Sequence, residues 1–214
     1  MRLSVLVAGL ALASSVSGAA GAAVIANGSF EDGPAVGSFG TLGTGSNAIA
    51  GWTVSAGTID YIGTYWSAQD GARSVDLAGN SPGAISQTFA TTIGQGYRIS
   101  YWIGRNPDGG VNPRTGFIDV GGGRAQFLYS GAGNRADMQW QLETFDFAAT
   151  SGSTTLTFAA DPLTAGQFYG PALDNVSISS APEPGTWALL ILGFGVMGAA
   201  LRRARPARAA LHYS

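Results

Sequence analysis

Short β-prone runs separated by turn-forming residues place the strongest limit on what this chain can fold into. In residues 96–103, apolar or aromatic side chains occupy every second position: Tyr97, Ile99, Tyr101 and Ile103. Because successive side chains of a strand point to opposite faces, this row predicts one buried face. Residues 153–160 alternate in the same way, whereas no helical periodicity is evident in the central part of the chain. The spacing of these runs predicts an all-β sandwich or jelly roll.

Composition narrows the possible functions. The chain has 214 residues, 33 glycines and no cysteine, so neither disulfides nor thiol chemistry can contribute. Less the two termini, about 160 residues remain, which suits one domain. Between residues 23 and 181, twelve acidic residues stand against six arginines, a net charge of −6. This balance argues against a nucleic-acid surface and favours a bound divalent cation.

The N-terminus reads as a secretory signal peptide over residues 1–22. Arg2 supplies the basic start, residues 3–16 form a short apolar core, and small residues follow up to Ala22. Cleavage is predicted after Ala22. The remaining chain is therefore expected to be exported.

The other terminus contains an apolar run of 17 uncharged residues, 185–201, followed by arginines. As a helix it would be about 25 Å long, a little short of a typical hydrocarbon core. The sequence predicts a transmembrane helix over about 185–201 with the arginines on the cytoplasmic side. Such a helix would anchor the exported domain transiently in the inner membrane.

A sorting signal is indicated by residues 181–208. Its characteristic residues are Pro182, Glu183, Pro184, Trp187, Arg202, Arg203 and Arg205. Together with the apolar run they resemble the PEP-CTERM signal of Gram-negative bacteria. The resemblance implies recognition by the membrane transpeptidase exosortase, removal of the tail, and a link with exopolysaccharide production. It also implies a location at the cell surface or in the extracellular matrix.

The domain between the termini, residues 23–180, carries its own motifs. They lie at residues 27–31, 51–52, 60–63, 65–66, 70–71, 74–77, 87–89, 106–110 and 170–176. These motifs resemble the choice-of-anchor C family, which is similar to the galactose-binding-like β-sandwiches of many carbohydrate-binding modules. The resemblance implies a galactose-binding-like jelly roll.

Catalysis is limited by the missing residue types. The single histidine, His212, lies in the tail, so the exported domain has no Ser-His-Asp triad and no imidazole ligand for a metal. A glycosidase pair of carboxylates would need a specific separation, and no sequence feature brings two of the acids together. The prediction is that the protein is not an enzyme.

A calcium site is predicted at Glu31 and Asp174, which follow the first predicted strand and begin the last. Hard oxygen ligands without Cys or His favour calcium. In the carbohydrate-binding modules that the chain resembles, acids at these two places commonly share a structural calcium. The alternative is that Glu31 caps a turn and Asp174 hydrogen-bonds the backbone.

Aromatic side chains are the candidates for sugar binding, because flat rings stack on the apolar faces of pyranoses. The predicted carbohydrate-binding residues are Tyr61, Tyr65, Trp66, Gln69, Asp70 and Trp102. The alternative for each aromatic residue is a place in the core. Trp52 and Trp140 are assigned to packing.

These observations predict an exported, exosortase-sorted surface or matrix protein whose β-sandwich binds carbohydrate, such as an exopolysaccharide. A structural or adhesive surface protein without a sugar site is the alternative. A polysaccharide-active enzyme is the third possibility.

Overall fold

The structure, a computed structural model, describes residues 22–181 and 184–203. Eleven strands and two helices form in this part of the chain. Their bounds are β1 Phe39–Gly43, β2 Thr53–Ala56, β3 Thr58–Ile62, β4 Ser74–Asp76, β5 Ala84–Ala90, β6 Gly96–Arg105, β7 Arg114–Val120, β8 Gly123–Tyr129, β9 Gln141–Ala148, β10 Ser153–Ala160, α1 Pro162–Ala165, β11 Pro171–Ser180 and α2 Pro184–Arg203.

Two antiparallel sheets pack face to face and confirm the predicted β-sandwich. The six-stranded sheet has the order β1-β3-β4-β11-β6-β9, and the five-stranded sheet has the order β2-β5-β10-β7-β8. The alternating row of β6 lies between the sheets, where Tyr97, Ile99, Tyr101 and Ile103 are all buried. Trp52 also packs in this core, as predicted.

A two-residue hairpin joins β7 to β8. Gly121 and Gly122 both have positive φ, 60° and 81°. Type I′ turns need positive φ at both central positions, and their twist matches that of the flanking strands. The glycine run therefore forms a tight strand connection.

One β-bulge interrupts β11 between Asp174 and Ser177, where Asn175 has a φ of 45°. In the sequence of residues 140–147, the apolar positions change from even to odd between Leu142 and Phe145, which predicts a bulge in β9; this prediction is wrong. Strand β9 pairs continuously with β6, and Leu142 faces outward beside Trp102. The bulge in β11 turns Asp174 and Asn175 toward the loop 69–73.

A second, smaller apolar cluster covers part of the outer face of the six-stranded sheet. Ile62, Trp66, Met138 and Ala172 form it, and Tyr65 and Trp140 pack against it. The loops that follow β3 and β8 therefore lie on the sheet, so this outer face is partly buried.

The C-terminal helix predicted from the apolar run forms as α2. It contains Pro184, Trp187, Arg202 and Arg203, and it exposes large apolar side chains such as Phe194. In the described chain, no helix is both long enough and apolar enough to span a membrane. The transmembrane helix predicted over about 185–201 is accordingly not shown. Residues 1–21 of the predicted signal peptide, and Pro182, Glu183 and Arg205 of the sorting signal, lie outside the described residues.

Candidate functional site: an aromatic cleft at the sheet edge

A cleft of about 190 Å³ opens on the outer face of the six-stranded sheet, at its β1–β3 edge. Phe39 pairs with Ile62 and Thr41 with Asp60 in the register of β1 and β3. Because Ile59 and Tyr61 of β3 face the core, the neighbouring positions 60 and 62 face outward. Two strands thus place an aromatic ring, a hydroxyl and a carboxylate side by side in the cleft.

Aromatic rings form the walls. Phe39 is 45% exposed and Phe168 is 51% exposed, whereas Tyr65 and Tyr169 are half-buried. The rings of Phe39 and Tyr65 meet edge to face, with centroids 5.2 Å apart. Exposed rings around a concave surface are suited to stack against the apolar faces of a ligand.

Polar groups on the floor supply hydrogen-bonding capacity. Oδ1 of Asp60 accepts a hydrogen bond of 2.5 Å from the hydroxyl of Thr41. Burial raises the pKa of Asp60, and the bond from Thr41 opposes that shift. Asn80 lies at the rim with its side chain exposed.

A fully buried carboxylate supports this floor from the next strand. Asp76 is the register partner of Asp60, and its Oδ2 accepts a hydrogen bond of 2.9 Å from Nδ2 of Asn106. Its Oδ1 accepts one from the backbone N–H of Ala78, also at 2.9 Å. Burial raises the pKa of Asp76 to about 7. The group therefore lies at the border between its neutral and charged forms at physiological pH.

The side chain of Asn106 connects two loops of the cleft, the one after β6 and the one before β11. Besides its bond to Asp76, its Nδ2 donates to the carbonyl of Phe168 at 3.3 Å, and its Oδ1 accepts from the N–H of Asp108 at 3.0 Å. The loop after β6 and the loop before β11 lie next to each other because Arg105 pairs with Pro171. This side chain consequently holds the loop of Asp108 next to the loop of Phe168 and Tyr169.

One wall is fixed by a network of Tyr65, Asp108 and Arg135. Arg135 donates to both carboxylate oxygens of Asp108, at 2.9 and 2.6 Å, and to the hydroxyl of Tyr65 at 2.7 Å. Tyr65 in turn donates to Asp108. The guanidinium lowers the pKa of Asp108, and the hydrogen bond to Asp108 raises the pKa of Tyr65. The charge of Arg135 is thereby paired before any ligand arrives.

Of the predicted sugar-binding aromatics, only Tyr65 and Trp66 line the cleft, and Trp66 lies beneath it. Trp66 is only 4% exposed, and its indole N–H donates to the hydroxyl of Ser74 at 2.9 Å. Tyr61 is fully buried in the main core, where its hydroxyl donates to the carbonyl of Phe30. A ring enclosed between two sheets cannot contact a sugar, so the placement of Tyr61 in a binding loop is corrected.

Gln69, Asp70 and Trp102 are not among the residues that line the cleft. The backbone N–H groups of Gln69 and Asp70 donate to Asp174, at 2.7 and 3.2 Å. Trp102 is half-buried on the outer face, beside Asp174 in the sheet register. The residues that sequence reasoning missed are Phe39, Asp60, Phe168 and Tyr169. Only the outward position of Asp60 could have been read from strand alternation.

The predicted calcium ligands both hold the loop 69–73. Oε1 of Glu31 accepts hydrogen bonds from the N–H groups of Ala72 and Arg73, at 2.8 and 2.7 Å. Asp174 accepts from Gln69 and Asp70 through Oδ2 and from Asn175 through Oδ1. These bonds match the alternative in which both acids bind the backbone. Burial raises the pKa of Asp174 to about 7.

The oxygen ligands of Glu31 and Asp174 are of the type that calcium prefers, but two carboxylates are fewer than its usual six to eight ligands. Within residues 22–181 and 184–203, no group of three or more His, Cys, Asp or Glu side chains is arranged to hold a metal ion. Further ligands would have to come from backbone carbonyls. Calcium binding stays a prediction.

Family comparisons cover nearly the whole described chain. A family model described as "Protein of unknown function (DUF642)" matches residues 23–179, and the PEP-CTERM protein-sorting motif matches residues 180–205. The second match confirms the sorting signal. The choice-of-anchor C name is not confirmed.

Two curated relatives are similar in sequence. Halomucin of Haloquadratum walsbyi is 37% identical over 190 residues, which cover 86% of this chain and 2% of that protein. The Arabidopsis thaliana protein named DUF642 L-galactono-1,4-lactone-responsive gene 1 is 26% identical over 172 residues, covering 72% of this chain and 45% of that protein. The chain thus spans less than half the length of either relative.

Solved structures with a similar fold include carbohydrate-binding modules. TmCBM61, solved in complex with β-1,4-galactotriose, is 14% identical with a TM-score of 0.46, covering 73% of this chain and 97% of that one. CBM35 from Paenibacillus barcinonensis is 17% identical with a TM-score of 0.44, covering 66% of this chain and 99% of that one. At these identities the similarity concerns the fold alone.

Proposed function

Since the chain belongs to the DUF642 family and carries a PEP-CTERM motif, we propose that it is an exosortase-sorted surface or matrix protein that binds carbohydrate in the aromatic cleft. The observation that carries this proposal is the exposure of Phe39 and Phe168 beside the carboxylate of Asp60. Rings that stack on a pyranose, next to polar groups that accept from its hydroxyls, make up a typical sugar site.

Binding is favoured over hydrolysis because the acids at the cleft do not form a free pair: Asp108 is bound by Arg135 and Tyr65, and Asp76 is buried. Asp60 and Asp76 are partners across β3 and β4, which makes them the natural pair to consider for glycosidase chemistry. Asp76 is fully buried and bound to Asn106 and Ala78. A carboxyl group that cannot contact the substrate cannot protonate a leaving group or attack a sugar.

Replacing Phe168 with alanine tests the cleft. We expect glycan affinity to fall about tenfold, because losing one stacked ring costs about 1.4 kcal/mol. The melting temperature should change little, since Phe168 is 51% exposed and belongs to neither buried cluster. Retention on exopolysaccharide from the source organism, measured by affinity electrophoresis, gives the binding, and thermal melting reports the fold.

Phe117→Ala is the matched control, because Phe117 is a half-buried ring on the five-stranded sheet, outside the cleft. It should leave retention unchanged. Absence of retention by the wild-type protein on every glycan would favour the structural or adhesive alternative. Equal losses in both variants would show that the cleft is not the binding site.

The cleft and the end of β11, after which the tail begins, lie at opposite ends of the six-stranded sheet. Strands β6 and β11 pair along their length, with Arg105 beside Pro171 at the cleft end and Tyr97 beside Ser180 at the other. Ten residues of extended strand span roughly 30 Å. A protein held through its C-terminal segment would therefore present the cleft away from its attachment.

Exosortase is the proposed partner of the segment that follows Ser180. Helix α2 exposes Ile191, Leu192, Phe194 and Met197, which suits contact with a membrane-embedded transpeptidase. We expect the mature protein to lose this tail near residues 182–184. Intact-mass measurement on protein from its native host should give a chain lacking the arginine cluster, and a chain extending to Ser214 would exclude processing.

Calcium is proposed to bind at Glu31 and Asp174 and to stabilise the loop 69–73, which both acids hold through hydrogen bonds. Saturation at 100 times the dissociation constant adds about 2.7 kcal/mol, or roughly 5–10 °C in melting temperature. Adding calcium to chelator-treated protein should raise the melting temperature of the wild type, and the rise should disappear in Glu31→Gln. An unchanged melting temperature would leave both acids with a hydrogen-bonding role alone.

A further inference from the structure

The charges around the cleft limit which sugars it can take. Among the residues that line it, Asp60 and Asp108 carry carboxylates, and there is no lysine, arginine or histidine. Arg135, which contacts the lining residues Tyr65 and Asp108 from outside, donates to both oxygens of Asp108 and to Tyr65. The net charge offered to a ligand is therefore negative.

The hydrogen-bonding groups that stay free in the cleft also suit an uncharged ligand. In the described chain, Asp60 uses only Oδ1 in a hydrogen bond, which leaves Oδ2 free to accept. Nδ2 of Asn106 is already bound to Asp76 and to the carbonyl of Phe168, so the side-chain donors that the lining offers to a ligand, Asn80 and Tyr169, carry no charge. Sugar hydroxyls can donate to a free carboxylate, and such charge-assisted bonds are strong. A carboxylate, sulfate or phosphate on the ligand has no hydrogen to donate there.

We propose that the cleft selects uncharged, hydroxyl-rich sugar rings and rejects acidic glycans. The inference rests on the proposed function, since it names the substrate class of the same cleft. The net charge of −6 over residues 23–181 acts in the same direction at longer range. Exposed charges are screened by salt, so the rejection should weaken as ionic strength rises.

The test compares neutral polysaccharides with their own carboxylated forms. Soluble β-1,4-galactan, β-1,3-glucan and hydroxyethylcellulose are each used before and after oxidation of the C6 hydroxyls to carboxylates. Affinity electrophoresis of the full mature chain is run at 50 mM and 500 mM NaCl. We expect at least one neutral polymer to retard the protein in the gel and its oxidised form to bind at least tenfold more weakly at low salt. The difference in affinity between the two forms should narrow at high salt.

Asp60→Asn identifies the carboxylate responsible. It removes the charge but keeps an oxygen for Thr41, so the fold should persist. We expect weaker binding of the neutral polymer and a smaller difference between the neutral and oxidised forms. Asp119→Asn, which removes one carboxylate charge from the five-stranded sheet, is the control. It should change neither the binding of the neutral polymer nor the difference between the neutral and oxidised forms.

Two outcomes would overturn the proposals separately. If an oxidised polymer binds as tightly as its neutral parent, and Phe168→Ala weakens both, the cleft binds sugars but does not reject acidic ones. If no polymer of either kind retards the well-folded protein, the proposed function itself fails.

Discussion

Replacing Trp66 with alanine is expected to lower the free energy of unfolding by about 3–5 kcal/mol. Trp66 is 4% exposed and packs with Ile62, Met138 and Ala172 on the outer face of the six-stranded sheet. Its removal leaves a cavity and takes the hydrogen-bond donor from Ser74. For a domain of this size the melting temperature should fall by roughly 10 °C or more. Urea unfolding followed by circular dichroism measures the loss.

Trp102→Ala is the control for this substitution. Trp102 lies on the same outer face but is only half-buried, so its loss should cost clearly less. A Trp66→Ala protein with near-normal stability and no glycan retention would contradict the assignment of Trp66 to the packed cluster. Such a result would instead assign Trp66 to the binding surface.

Stability is expected to decrease as pH rises from about 4 to about 7. Burial raises the pKa of both Asp76 and Asp174 from 3.8 to about 7. Between these values the folded chain binds more protons than the unfolded chain, so raising the pH favours unfolding. For each group, this difference between the folded and unfolded pKa corresponds to about 4 kcal/mol. The protein should therefore be several kcal/mol more stable at pH 5 than at pH 8.

Of the other carboxylates with shifted pKa values, Asp60 has a raised pKa and acts in the same direction, whereas Asp108 and Asp146 act outside this window. Arg135 and Arg98 lower the pKa values of Asp108 and Asp146, so their contributions are lost only on acidification below about pH 4. A cation at Asp174 would favour the charged form and reduce the effect of this residue, so the measurement is made with chelator present.

Urea unfolding of the wild type and Asp76→Asn at pH 5, 6, 7 and 8 measures this effect. The substitution disturbs the bonds to Asn106 and Ala78, which shifts stability at every pH. The informative quantity is the pH dependence, which should be smaller in the variant because one titrating group is gone. Parallel curves for the two proteins would exclude Asp76 as a source of the slope.

Local alternation in the sequence predicted much of the sandwich. The row from Tyr97 to Ile103 is buried as its spacing indicates, because a half-buried strand needs only the period of two to specify its core face. The position of the bulge was not predictable in this way. The change of parity between Leu142 and Phe145 indicates a bulge in β9, yet Leu142 simply lies on the outer face next to Trp102, and the register shift is in β11 at Asn175.

The cleft could be predicted only in part, because its residues come from five separate segments. Tyr65 was recognised from its aromatic cluster, whereas Phe39 and Phe168 are brought to it by strand register and by the Asn106 bonds. The same aromatic cluster contains Tyr61, which faces the core, and Trp66, which a second apolar layer covers. Tyr61, Tyr65 and Trp66 are close in sequence, yet they lie in the main core, the cleft wall and the second apolar cluster, respectively.

The sequence by itself determined the all-β class, the alternating core of β6 and the PEP-CTERM motif, since each depends on residues close together in the chain. Tertiary structure alone decided which aromatic rings are exposed and which carboxylates meet. Asp60 lies beside Asp76 through strand pairing, and Glu31 and Asp174 share one loop although they are far apart in sequence. The physical reason is that exposure and desolvation depend on what packs against a side chain, and the packing partners come from distant parts of the chain.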